Sequence, residues 1–307
     1  MIFLERILMF NIECIDFNEN IYKSLLKTST GKPIKARINV YPHYHDVISN
    51  INSYLLNIPN FERTNSLFYS MDKVHDELYA LYDSNSTNVE KLKKDIKDLT
   101  IINPKTKEGL ICSYCGITRS VIHDLDHFMP RSKYPEFSIL SNNLIYVCPT
   151  CNQDYKKDEF LDTATPPIRK FLNPYYDLLD EEEIINCNIS NDGIILNIEY
   201  IANPNLTTKN PYLYEVTKNH LNSLNLNERY IKIIKKDLLE KFLNKFKEKS
   251  IKTYRQIRDF TNSEAQIFIN DKIDELDDSL KNNFELLFWK EFLNCTNYFD
   301  SIKRQKL

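Results

Sequence analysis

Two Cys-x-x-Cys pairs constrain this chain more than any other feature: Cys112-Ser113-Tyr114-Cys115 and Cys148-Pro149-Thr150-Cys151. In each pair a tight turn brings two thiols to one side. Gly116 eases the first turn and Pro149 stiffens the second. Four thiolates make a closed tetrahedral Zn²⁺ site, which contributes folding energy and leaves no open position for chemistry. The zinc expected here is therefore structural, with Cys112, Cys115, Cys148 and Cys151 as its ligands. The 32 residues between the pairs exceed the interval of a simple zinc ribbon, so a sizeable insertion must lie between the knuckles. Seven cysteines, four of them in matched pairs, suit metal binding in a reducing compartment better than a secreted disulfide framework. Cys14, Cys187 and Cys295 are left as small apolar core residues.

Composition closes several other routes. Only four glycines in 307 residues exclude Gly-rich phosphate loops. A formal charge of -3 gives no global attraction to phosphate, so any nucleic-acid contact must be local. No apolar run approaches the roughly 20 residues needed to cross a bilayer. The opening MIFLERILMF carries Glu5 and Arg6 and lacks a small-residue cleavage site, which favours a core strand or short helix over a signal peptide. The expected location is the cytoplasm, without membrane association.

The periodicities predict an α+β, mainly helical chain. Ile34, Ala36, Ile38 and Val40 alternate with polar residues and predict a half-buried strand. Helices are predicted over Asp46–Leu56, over Ser66–Tyr82 with Ser66 as cap, and over Asn88–Leu99, where Lys91, Lys93, Lys94 and Lys97 read as a solvated face. His43, His45 and His75 read as structural histidines. A turn-rich stretch at 103–109 marks a boundary. Beyond it, 121–127 reads as a strand, 135–143 as a polar loop, 144–147 as a second strand and 151–159 as a helix. The segment PPIRKFLNPYYD should pack back on this unit. Ile184–Ile189 and Ile194–Ile201 flank Asn191-Asp192-Gly193, a hairpin signal. A basic amphipathic helix over 228–252, an acidic one over 264–280 and an aromatic one over 282–298 complete the chain. The basic face suits either nucleic acid or solvent; the last helix, with Trp289, either closes a core or meets a partner. The domains expected are 1–108, mixed and mostly helical; 109–175, zinc-bound; and 176–307, a hairpin plus helices.

Inside the zinc bracket lie Asp126-His127, Asn143-Leu144, and Cys151-Asn152 followed by Lys156 and Lys157. In this order and spacing the segment resembles the HNH endonucleases, with their ββα-metal fold. The resemblance implies that His127 is the general base, that Asp126 and Asn152 hold one divalent cation, and that Asn143 props the loop around His127. It also implies phosphodiester hydrolysis giving 5′-phosphate and 3′-hydroxyl ends. Independent chemistry supports those roles. An imidazole with a pKa near ~6.5 suits making a nucleophile at neutral pH, and a carboxylate-plus-amide set suits a hard cation. Many family members carry histidine where this chain has Asn152; an amide oxygen favours Mg²⁺ or Mn²⁺ over softer ions. Asp124 shares a strand face with Asp126 and reads either as a metal auxiliary or as strand surface, and His123 is unassigned.

Arg131, Lys133, Lys156 and Lys157 are the natural phosphate contacts. Basic and acidic residues nearly cancel over 103–160, so strong independent binding is not expected. The resemblance favours DNA over RNA. It also favours a protein partner for targeting, as in effectors of bacterial defence or mobile elements. The rival readings are a zinc-stapled binding or adaptor module without turnover, and an HNH nuclease acting on RNA.

Overall fold

The computed structural model describes residues 12–27, 32, 34–100, 110–119, 124–177, 179–191, 195–240, 243, 262–276, 281–295 and 298. The opening decapeptide, the 103–109 boundary, His123, the turn after Asn191 and most of the basic helix beyond Glu240 lie outside the described residues. The chain divides into two compact units, Asn11–Leu178 and one containing Leu179–Leu307. Residues of the segments read as 1–108 and 109–175 thus share one unit.

In that first unit, α1 (Glu19–Leu26) is capped by Asn18, whose side chain accepts from the Asn20 amide. Next come α2 (Tyr44–Asn57), α3 (Asp72–Tyr79) and α4 (Thr87–Thr100). Short β1 (Leu110–Ile111) and β2 (Thr118–Arg119) pair around the first knuckle. Strands β3 (Asp124–His127) and β4 (Leu144–Val147) pair antiparallel, with His127 opposite Leu144 and Asp124 opposite Val147. The apolar stripe of α4 packs on this hairpin: Leu92 and Ile96 meet Leu125, Leu144 and Tyr146. Nonpolar burial of this kind, not helix propensity, holds a 14-residue helix in place. A second core joins Tyr54, Phe61, Phe128, Phe137 and Phe160, with the Phe61 and Phe128 rings 5.2 Å apart. Buried Arg169 lies over Phe61 and Phe128 and forks onto Asp177 at 2.9 and 3.1 Å, so the PPIRKFLNPYYD segment does pack back on this unit.

Three local expectations are corrected. Residues 34–40 form no strand: Lys35–Arg37 is a 3₁₀ turn, and the Asn39 and Val40 amides donate to the Glu77 carboxylate at 3.0 and 2.9 Å. An acidic side chain on α3 satisfies donors that a strand would have paired, and Ile38 is left exposed. The helix read from Ser66 starts only at Asp72, because the Ser66 hydroxyl donates to Glu136 and accepts from the Phe68 amide. The helix read over 151–159 is a wide π-type turn over Thr150–Lys156, ended by Lys157 at φ 50°.

The second unit centres on a hairpin of β5 (Ile185–Asn191) and β6 (Leu196–Ala202). Around it lie α5 (Leu206–Lys209), α6 (Pro211–Ser223), α7 (Leu226–Ile233) with wider turns to Leu239, α8 (Asn262–Asp274) and α9 (Phe284–Phe292). Tyr230 stacks on Phe284 at 4.1 Å, and Trp289 is buried with Phe288 and Phe292, so α9 closes this core. Cys187 and Cys295 are buried, whereas Cys14 is only partly so. The described start of the basic helix exposes Lys232, Lys235 and Lys236. Among the described residues no helix is long and apolar enough to cross a membrane.

Candidate active site and zinc cluster

The four cysteines of the two knuckles are buried, and their sulfurs all lie within 4.8 Å of one another. Zn–S bonds of about 2.3 Å in a tetrahedron require sulfurs about 3.8 Å apart, so the cluster fits Zn²⁺ after small side-chain adjustment. The Cys115 and Cys148 sulfurs are 4.0 Å apart. Backbone groups brace the cage: the Cys148 amide donates to Cys112 Sγ at 3.2 Å, and the Gly116 amide to the Cys112 carbonyl at 2.8 Å. Gly116 adopts φ 65°, a left-handed turn that glycine takes without a Cβ clash.

The second knuckle follows β4 at the Asp124–Val147 end of the hairpin, so His127, opposite Leu144, sits at the far end with Asp126 beside it. Successive strand residues face opposite ways. Asp126 turns to the zinc knuckle and His127 to the α3–α4 side. Asp126 is only 3% exposed. Its Oδ2 accepts from the buried Tyr114 hydroxyl at 2.7 Å, and its Oδ1 from Lys156 Nζ at 3.1 Å. Lys156 Nζ also donates to the His127 carbonyl at 2.8 Å.

Lys156 must therefore be corrected from the phosphate-contact reading. It is fully buried, its ammonium committed to neutralising Asp126. The π-type turn aims this lysine inward and leaves Lys157 exposed.

His127 Nε2 lies 2.8 Å from the Ser138 carbonyl. A carbonyl only accepts, so Nε2 carries the proton and Nδ1 keeps the free lone pair. The Tyr82 ring meets the imidazole edge-on at 4.6 Å. Burial draws the imidazole pKa down to about 3; the Ser138 carbonyl opposes this, and the positive charges of Arg131, Lys156 and Lys93 add to it. The ring is consequently neutral at physiological pH and a weaker base than a free imidazole.

Asn143 is fully buried and ties the intervening loop together. Its Oδ1 accepts from the Met129 amide at 2.8 Å, and its Nδ2 donates to the Met129 and Phe137 carbonyls at 3.0 and 3.2 Å. The Asn143 carbonyl accepts from the Phe128 amide at 2.8 Å. Ser138, whose carbonyl orients His127, is pinned by its own hydroxyl to the Leu78 carbonyl of α3 at 2.7 Å. Glu136 completes the clamp. Buried among neutral donors, it accepts from Asn50 Nδ2 at 2.6 Å, the Ser66 hydroxyl at 2.8 Å and the Leu67 amide at 3.3 Å.

Asn152 is partly exposed on the turn after the second knuckle, and Asp124 accepts from Gln153 Nε2 at 2.7 Å. Asp126 and Asn152 offer the hard oxygen donors that Mg²⁺ or Mn²⁺ takes. Each Asp126 oxygen keeps a lone pair beyond its present bond. Lys156 is the charge with which a cation would share that carboxylate. Of the expected phosphate contacts, Arg131 is held by Asp83 at 2.8 Å and lies over the Tyr79 ring, while Lys133 and Lys157 are exposed. Tyr114, Ser138 and Tyr82 escaped the sequence reading. Only Tyr114 carried a signal, an aromatic hydroxyl inside a zinc knuckle.

The site thus joins a two-stranded hairpin, a helical turn and a four-cysteine cluster, with an Asp-His pair at one strand end. Residues 112–158 match the HNH endonuclease family, and the chain carries an HNH domain there. The chain is also 30% identical over 101 residues to protein ea31 of Escherichia phage lambda. That alignment covers 33% of this chain and 31% of the phage protein, so the chain matches about a third of that relative's length. No solved structure gives a significant match.

Proposed function

We propose that the protein is a metal-dependent HNH endonuclease that hydrolyses phosphodiester bonds in DNA, leaving 5′-phosphate and 3′-hydroxyl ends. The observation that carries this reading is the orientation of His127 by the Ser138 carbonyl within the HNH-matching segment. Ser138 holds its Nε2 proton, so Nδ1 is the atom that takes a proton from water. Asp126 and Asn152 hold the divalent cation, which when bound neutralises charge on the scissile phosphate and the departing oxygen. Tyr114 and Lys156 fix the Asp126 carboxylate, and Asn143 keeps the His127 loop in register. Arg131, Lys133 and Lys157 contact flanking phosphates. The four cysteines carry structural zinc, which suits a cytoplasmic protein whose thiols stay reduced. With a net charge of -3, delivery to substrate falls to a protein partner, as in a defence or mobile-element effector.

Plasmid nicking with Mg²⁺ or Mn²⁺, beside a parallel digest of total RNA, tests the proposal. Wild type should nick plasmid, and His127→Ala should lose at least about 100-fold in rate, as removal of a general base does, with zinc content and circular dichroism unchanged. Cleavage of RNA alone would reassign the substrate. No cleavage of either, with any metal, would leave a zinc-stapled adaptor.

A further inference from the structure

Helix α4 lies outside the segment that matches the HNH family. Its lysines read in sequence as a uniform solvated face, but the structure divides them. Lys91 and Lys94 are exposed, while Lys93 and Lys97 are half-buried along the edge that Leu92 and Ile96 press onto the β3–β4 hairpin. Lys93 Nζ sits 4.3 Å from the centre of the Tyr82 ring, the ring that meets His127 edge-on at 4.6 Å. Arg131 lies 5.0 Å from the same ring, and Lys97 Nζ lies 5.8 Å from the Tyr146 ring on β4. Two cations from separate parts of the chain, Lys93 and Arg131, therefore gather on the ring that touches the imidazole, and Lys97 sits one helical turn further along α4 on a second aromatic face.

We propose that Lys93 and Lys97 of α4, set over the Tyr82 and Tyr146 rings respectively, form a nucleic-acid strand-binding subsite that carries backbone phosphates past His127. The inference rests on the nuclease reading for its ligand class. One helical turn separates the two lysines, so both point along one track, and the half-buried aliphatic stems fix ammonium groups that a solvated lysine leaves mobile. Carboxylates present are no obstacle. Lys93 pairs with Glu90 at 2.9 Å and Arg131 with Asp83, and both acids are largely exposed. Such pairs are worth only about 0–1 kcal/mol, which a phosphate displaces readily. This subsite also answers how a chain of net charge -3 holds a polyanion: the attraction is local and placed at the reacting residue.

The test is fluorescence anisotropy of labelled single-stranded and duplex DNA oligonucleotides on the full chain in a His127→Ala background, over a salt series. Lys93→Ala/Lys97→Ala should weaken binding about tenfold at low salt and flatten the slope of log K against log salt by about 1.4–1.8, the release expected for two phosphate contacts. Lys93→Arg/Lys97→Arg should restore the slope, and Lys91→Ala/Lys94→Ala on the exposed face should leave it unchanged. Equal effects of the two alanine pairs overturn the inference, as does no effect of the first pair or no binding by the background protein. Binding that follows this pattern in a protein that never nicks DNA upholds the subsite and sinks the nuclease reading, so the two fail separately.

Discussion

Lys156→Met separates a buried structural charge from a phosphate contact. The wild-type ammonium is fully buried, 3.1 Å from Asp126 Oδ1 and 2.8 Å from the His127 carbonyl. Methionine keeps most of the aliphatic volume against Phe171 but removes the charge, so the Asp126 carboxylate loses its only cationic partner among the described residues. Breaking a buried pair from one side costs about 3–5 kcal/mol. Tyr114 still donates to Asp126, which places the loss near the lower end, about 3 kcal/mol. For a unit of this size that is a fall in melting temperature of about 6–12 °C. Urea unfolding at saturating zinc measures it, and Asp126→Asn completes a double-mutant cycle. The double variant should recover most of the loss, with a coupling of about 2 kcal/mol or more. A stability change below about 1 kcal/mol, accompanied by a flatter salt dependence of DNA binding, would refute the reasoning and return Lys156 to the substrate surface.

Asn143→Ala removes three buried side-chain hydrogen bonds at about 0.5–1.5 kcal/mol each, so thermal denaturation should show a loss of about 2–4 kcal/mol. Nicking should fall with it, because the same loop presents the Ser138 carbonyl to His127. Glu136 gives a pH prediction. Burial raises its carboxyl pKa above 4.5, against the opposing donors Ser66, Leu67 and Asn50. A folded-state value above the unfolded one means that the folded protein binds the extra proton, so stability from this group is present at low pH and lost as pH rises through the folded pKa. Wild type should therefore lose stability relative to Glu136→Gln as pH rises from 4.5 towards neutrality, measured by urea midpoints. A difference that does not change over that range would show that the group does not titrate with folding.

Much of the metal module was legible because its signals are local. Cysteine spacing, the Asp-His pair and the alternation of 144–147 each depend on neighbours a few residues apart, and the structure places β4 at Leu144–Val147. The hairpin signal beginning at Asn191 likewise marks two strands that do pair, with Asn191 the last residue of β5. The misread 34–40 shows the limit: its alternation was real, but whether it becomes a strand depends on a partner, and Glu77 took the amides instead.

Lys156 and Lys93 show the same limit at the site. Both read as surface cations in sequence, yet one is sealed against Asp126 and the other lies half-buried over Tyr82. The sequence by itself determined the two cysteine pairs, whose sulfurs do cluster, and the HNH resemblance of residues 112–158, since the spacing within each pair and the order of the motif are local. Only the tertiary structure decided which lysine is buried and which exposed, which carbonyl accepts from His127 and which helix packs on the β3–β4 hairpin. Burial and charge pairing arise between segments distant in the chain, and no local pattern encodes which of them will meet.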